Sequence, residues 1–129
     1  MYVREALRNR SERGMKLVLQ TARASLNWYI ENFNCEYPFE KIDIVFCPFF
    51  TQTKAIPNVG CIMIDENYIF NDPNKLEACI LNKIVANDIC HMWFGNAITC
   101  KWWDDLWLND ALSIFLSQHC LKCISQNVY

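Results

Sequence analysis

Apolar residues at Met15, Val18, Leu19, Ala22, Leu26, Tyr29, Ile30 and Phe33 recur at three-and-four spacing. That period predicts a long amphipathic helix from about Glu12 to Phe33, with Ser11 as its cap. Asn34-Cys35-Glu36-Tyr37-Pro38 ends it, because proline restrains the residue before it and cannot continue a helix. Met1–Arg4 is read as the end of a strand. Lys41–Cys47 alternates with β-branched residues and predicts a strand closed by Pro48. Residues 49–58 read as a loop, followed by short strands at 61–64 and 68–70 around a turn at Asp65-Glu66-Asn67. A second helix is predicted from the Asn74 cap to about Phe94, with Leu76, Ile80, Ile84 and His91 on one side and Leu81, Val85, Ile89 and Met92 close by. So broad an apolar surface implies burial on most sides. A third helix runs from Asp105 to about Ser125 and carries Leu108, Ala111, Leu112, Phe115, Leu116 and Leu121.

Composition narrows this to one globular domain. The 129 residues are 53% hydrophobic with 3 Gly and 4 Pro, which leaves no room for a long low-complexity segment. A chain of this length buries roughly 68% of its unfolded surface. No apolar run reaches the length of a membrane span, and the N-terminus lacks the apolar core of a secretory signal. The net charge of −2 conceals an asymmetry. Residues 1–24 hold six basic residues (Arg4, Arg8, Arg10, Arg13, Lys16, Arg23) against Glu5 and Glu12. A solvated helix face accounts for this, and nucleic acid is not an expected partner.

Eight cysteines would fit a disulfide framework in a secreted chain. Cys79, Cys90, Cys120 and Cys123, however, lie within helical patterns among Ile, Leu and Val, where cysteine behaves as a small hydrophobe. Free thiols in a reducing intracellular compartment are expected, the cytoplasm or, if the basic N-terminus is an address, the mitochondrion.

The chemistry is concentrated between Asn87 and Asp110. In zincins a helix carries His-Glu-x-x-His, two zinc-binding histidines one turn apart with a glutamate base between them. Here the corresponding run is Asn87-Asp88-Ile89-Cys90-His91, and only the second histidine is present. Helical geometry puts positions 87, 88 and 91 on one face. Asp110 would join them if the next helix packs antiparallel across the cleft. Amide and carboxylate oxygens at 87, 88 and 110 would suit Mg²⁺, Ca²⁺ or Mn²⁺. Alternatively they satisfy one another by hydrogen bonding.

Longer blocks surround this run. Tyr37-Pro38-Phe39-Glu40-Lys41-Ile42-Asp43 resembles the YP-x-x-K-x-D segment of the M1 aminopeptidases, gluzincins of the aminopeptidase N type. Trp93-Phe94-Gly95-Asn96 and Trp102-Trp103-Asp104-Asp105-Leu106-Trp107-Leu108-Asn109 resemble the same family's WFGN and WW-x-DLWLNE blocks. The resemblance covers nearly the whole chain and implies a single truncated M1-like catalytic domain over 1–129. Its fold would be α/β (α+β), the upper lobe of a thermolysin-like domain with a small mixed sheet packed on long helices. It also implies that Trp93, Trp102, Trp103 and Trp107 are core residues.

The departures from the family fall on its chemistry. The resemblance puts Asn87, His91 and Asp110 at the zinc-ligand positions and Asp88 at the general-base position. Asn87 offers only a weak neutral oxygen in place of imidazole. Asp88 is one methylene short, a setback of roughly 1.5 Å where about 1 Å can cost about 100-fold in rate. The substrate-binding GAMEN segment corresponds to Lys54-Ala55-Ile56-Pro57-Asn58, so Ala55 and Asn58 hold substrate positions while Pro57 supplies neither a carboxylate nor a backbone N–H. The tyrosine that stabilises the family's tetrahedral intermediate lies further downstream, and Tyr129 is too close to the third helix to replace it. The expectation is a pseudoenzyme with no bound cofactor, zinc being disfavoured, that serves as a scaffold or accessory subunit. Another protein subunit would cover the apolar face left by the missing lobe. A weak zinc-binding aminopeptidase homologue and a fragment of a longer degenerate aminopeptidase are the alternatives.

Overall fold

A computed structural model describes residues 1–9, 11–50 and 53–126. Arg10 of the basic N-terminal set, Thr51 and Gln52 of the predicted loop, and Tyr129 lie outside the described residues. The elements in order are α1 (Glu5–Arg8), α2 (Glu12–Phe33), β1 (Asp43–Cys47), β2 (Ala55–Asn58), β3 (Cys61–Asp65), α3 (Lys75–Cys90) and α4 (Trp107–Gln126), with single 3₁₀ turns at Glu66–Tyr68 and Trp103–Asp105.

The first long helix has the predicted bounds but a different buried line. Gly14, Val18, Thr21, Ser25 and Tyr29 face inward, whereas Leu19 is half exposed. The small residues in that line let α2 approach its neighbours closely. Thr21 Oγ1 donates to Asn82 Oδ1 at 2.8 Å, and Tyr29 Oη donates to the Ala86 carbonyl at 2.9 Å. Both bonds tie α2 to α3. Ser11 does not cap α2 through its side chain; its hydroxyl turns back and donates to the Leu7 carbonyl at 2.6 Å, joining α1 to α2. The helix stops at Asn34, which adopts the left-handed conformation that Asn tolerates better than most residues.

The sheet differs from expectation in one strand. Its order is β1-β3-β2, with β1 parallel to β3 and β2 antiparallel to β3. Residues 55–58, read as loop, form the edge strand β2, while the strand expected at 68–70 is replaced by the 3₁₀ turn and an irregular segment. The proline that argued for a loop sits on the outer edge, where a strand tolerates a missing donor. Tyr2 extends the opposite edge as an isolated parallel bridge to Val45, so only the tip of the predicted N-terminal strand forms. Arg4 locks this corner through two bonds to Glu66, at 2.5 and 2.7 Å.

Ile44 and Phe46 of β1 and Ile62 and Ile64 of β3 bury alternate side chains against Val18, Tyr29, Leu81, Val85 and Ile89. Each such aliphatic side chain contributes about 1.5–3 kcal/mol through burial. Asn74 caps α3 as predicted, and with Glu77 it completes a capping box. The helix ends at Cys90, short of Phe94, so His91 lies at its C-terminal cap. Leu76, expected on the buried face, is exposed in the first turn of α3. Cys90 and Cys120 are buried as expected, Cys79 is exposed, and all eight cysteines are free thiols.

The tryptophans divide. Trp93 is buried and meets Tyr29, Phe33 and Tyr37 at ring-centroid distances of 5.6–5.8 Å. Trp102, Trp103 and Trp107 are 64–84% exposed, contrary to the expected core placement. They lie on the lead-in to α4 and its first turn, and no described element packs over them. With Leu106, Leu108 and Phe115 they leave an apolar face on one side of α4. The α+β class and the mixed sheet agree with the expectation.

Gly14 is the closest approach of α2 to the segment after β3, where an added Cβ would collide with the Phe70 carbonyl. Gly14→Ala gains about 1 kcal/mol of helix propensity, yet it should lower stability overall by about 1–3 kcal/mol through overpacking. The urea midpoint is the readout, and an unchanged or higher midpoint would show that α2 and Phe70 do not touch.

Candidate functional site

The last turns of α3 carry Asn87 and Asp88 into a polar spot inside the core. Asp88 is buried, and the Asn87 side-chain amide donates to its Oδ1 at 3.5 Å. Neither Asn87 Oδ1 nor Asp88 Oδ2 has a hydrogen-bond partner among the described residues. Burial pushes the Asp88 carboxyl up to about 7, and the bond from Asn87 opposes this only in part. The side chain therefore keeps its proton well above the usual carboxylate range.

His91 is held from two sides. Its Nδ1 lies 3.0 Å from the Phe94 carbonyl and 3.2 Å from Ser113 Oγ. The Ser113 hydroxyl donates its own proton to the Asn109 carbonyl at 2.8 Å. Both neighbours of Nδ1 are thus acceptors, which assigns the ring proton to Nδ1 and leaves a lone pair on Nε2. Nε2 points toward Asp110 Oδ1, 3.7 Å away. Burial lowers the His91 pKa, while the Phe94 carbonyl and Asp110 raise it by less. The imidazole is neutral at pH 7. Gly95, at φ 113, follows in the turn, and a Cβ there would come within 3.3 Å of His91 Nδ1; the WFGN glycine keeps the ring in place.

The predicted residues therefore make contact as two pairs, Asn87 with Asp88 and His91 with Asp110. Asp110 reaches across from an exposed position in the first turn of α4. Ala55 is half-buried against the core and Asn58 is exposed at the other end of β2. Asn96, in the turn after α3, donates to the Pro57 carbonyl at 3.0 Å and so fastens β2 beside this turn. Sequence reasoning did not single out Ser113, Asn109 or Asn96. Ser113 was findable, since it stands three residues after Asp110 and so shares its helix face.

A catalytic zinc takes three protein ligands such as two imidazoles and a carboxylate. This site brings one imidazole nitrogen and one carboxylate together, and the side chain at position 87 is a neutral amide. Among the described residues no group of three or more His, Cys, Asp or Glu side chains is placed to hold a metal ion. The described donor set holds one imidazole where the zincin pattern has two.

A small mixed sheet on long helices, with this motif at the end of one helix and its counterpart at the start of the next, is the frame of a zincin-type peptidase domain. The sequence pattern of the Peptidase family M1 domain matches residues 17–129, and the chain belongs to peptidase family M1. It is similar to the aminopeptidase N of Streptomyces lividans, 32% identical over 104 residues, which is 80% of this chain and 12% of that protein. The leucyl aminopeptidase of Saccharolobus solfataricus is 34% identical over 84% of this chain and 14% of its own length. Aminopeptidase M1-D of Oryza sativa subsp. japonica is 36% identical over 79% of this chain and 12% of its own length. The chain thus spans about an eighth of these curated relatives. No helix among the described residues is long and apolar enough to cross a membrane.

The raised Asp88 pKa has a definite sign. The folded state holds this proton up to about pH 7, the unfolded state only to about 3.9. Between those values the native protein binds more protons, so stability falls as pH rises, by roughly 4 kcal/mol as an upper bound. Asp88→Asn should remove this slope and make the protein more stable than the parent at pH 8, with little difference at pH 4. Urea melts of both proteins from pH 4 to pH 8 read it out; parallel curves would mean that Asp88 is solvated.

Proposed function

We propose that the chain is a non-catalytic M1-type domain, a pseudoenzyme that acts as a scaffold or accessory element in a larger protein assembly. The observation that carries this reading is the donor set at the end of α3: a single neutral imidazole, His91, with a single carboxylate at 3.7 Å. Asn87, His91 and Asp110 stand at the metal positions with a single nitrogen donor, His91, where zinc in this pattern takes two. Asp88 stands at the base position. Ala55 and Asn58 stand at the substrate positions, where Pro57 has no N–H to offer a peptide backbone and its carbonyl already accepts from Asn96.

The assembly part of the reading rests on the apolar face of α4. Trp102, Trp103, Trp107 and Phe115 are each at least 64% exposed, and monomers rarely leave a large contiguous apolar patch bare. A partner subunit seated there would cover it. A second reading is favoured by length: the relatives are far longer, and the same face would equally be covered by further M1-type polypeptide in one longer chain. Immunoblotting of native extract separates the two, since the first predicts a band of the 129-residue chain and the second a much larger one.

Metal content and turnover test the loss of chemistry. Protein purified with excess zinc and then dialysed should carry well under one equivalent by elemental analysis, and amino-acyl arylamides should not be hydrolysed. The triple variant Asn87→His, Asp88→Glu, Asp110→Glu should gain zinc binding by isothermal titration. Stoichiometric zinc on the parent protein, released by His91→Ala, would overturn the proposal.

A further inference from the structure

A groove of about 870 Å³ opens where the middle of α2, the N-terminal half of α3 and the C-terminal end of α4 meet. It is separate from His91: none of its lining residues is a site residue, and its nearest α3 residue, Lys83, lies eight residues before that ring, about 12 Å of helix. Leu17, Ala78 and Ile124 form an apolar floor, and Lys75, Lys83 and Lys122 rise at its rim. Among the described residues no carboxylate lines it, in a chain whose net charge is −2.

The hydrogen-bonding groups at the rim lean toward donors, although Gln20 brings both a donor and an acceptor. Asn74 Oδ1 accepts from the Leu76 and Glu77 amides at 2.9 and 3.0 Å, and Asn82 Oδ1 accepts from Thr21 at 2.8 Å. Their oxygens serve the fold, which leaves two side-chain NH₂ groups beside three ammonium groups. Among the described residues none of these three lysines has an ion-pair partner. An occupant must therefore bring acceptors, and negative charge complements the rim.

We propose that this groove binds an acidic amphipathic peptide segment of a partner protein, its apolar side chains on the floor and its carboxylates on the lysine rim. A segment fits better than a single anionic headgroup because the cations are spread out. Lys75 and Lys83 stand about 12 Å apart along α3, and Lys122 faces them from α4. Carboxylates one to two turns apart on a helix span that distance, and an amphipathic helix laid in an apolar groove is a standard mode of recognition. This assignment goes beyond the scaffold reading and holds whether or not zinc binds at the other end of α3, so either can fail alone.

The probe is a fluorescein-labelled peptide of about 15 residues, long enough to turn helical in a supporting groove, with Leu at i, i+3, i+4 and i+7 and Glu elsewhere. Its control has Gln for every Glu. Fluorescence anisotropy with the full chain at low salt should show the Glu peptide binding about tenfold more tightly than the Gln peptide, as expected for a few partly exposed ion pairs. That preference should disappear in Lys75→Glu/Lys83→Glu/Lys122→Glu, checked for folding by circular dichroism, and shrink in the corresponding Lys→Gln variant. Ala78→Trp, which fills the floor, should weaken both peptides. Equal affinity for the two peptides, unchanged binding by the folded charge-reversal variant, or capture by phosphatidylglycerol vesicles in preference to the Glu peptide would overturn the proposal.

Discussion

The burial of Trp93 is the constraint on which the functional end of the molecule depends. Its ring packs against Tyr29 and Phe33 of α2 and against Tyr37 in the connection to β1. Only a tight turn directly after α3 puts it there, and that turn has no latitude for the residues around it. Phe94 turns its carbonyl onto His91, Gly95 takes a backbone angle denied to other residues, and Asn96 reaches the edge strand. Aromatic packing thus sets the position of the one histidine in the site. The side chains of Asn87 and Asp88 bond each other and not this turn, which meets Asn87 only through its backbone carbonyl.

That independence explains how packing and chemistry can diverge within one motif. The blocks shared with the M1 family around residues 93–96 and 102–109 serve helix ends and turns, and they persist here. On the proposed reading, the positions a zinc ion would use carry an amide at Asn87 and aspartates at Asp88 and Asp110 in place of imidazole and glutamate. Each exchange shortens or neutralises a donor while leaving the helix path intact. A buried Asp88 with one oxygen unpartnered is what remains when a carboxylate stays beside an amide instead of a cation. It is a local stability cost, tolerable because protonation relieves it.

Much of the fold was legible because its signals are local. The period of α2, the Asn74 cap and the alternation in β1 each needed a few adjacent residues. The buried line of α2 was not legible, since Gly14, Thr21 and Ser25 look indifferent in sequence and matter only through what approaches them in space. β2 was hidden by Pro57, which marks a loop unless one knows that the strand lies at an edge. The candidate residues Asn87, Asp88, His91 and Asp110 were singled out through the family resemblance, and the approach of Asp110 to His91 through an expected helix packing. Their partners Ser113 and Asn96 were not, because contacts between elements depend on crossing geometry that no single helix encodes. The exposed tryptophans Trp102, Trp103 and Trp107 show the converse: apolar character predicts burial only where something arrives to cover it.

Pro57 carries a last consequence. Its ring nitrogen and its carbonyl face away from β3, and the carbonyl is already taken by Asn96. The free margin of the sheet therefore offers a neighbouring strand neither a donor nor an open acceptor at its midpoint. A margin without such protection is where chains template one another into fibrils. In a sequence that is 53% hydrophobic, a proline at this place withholds a hydrogen bond from a second copy of the chain, and so guards against runaway strand addition.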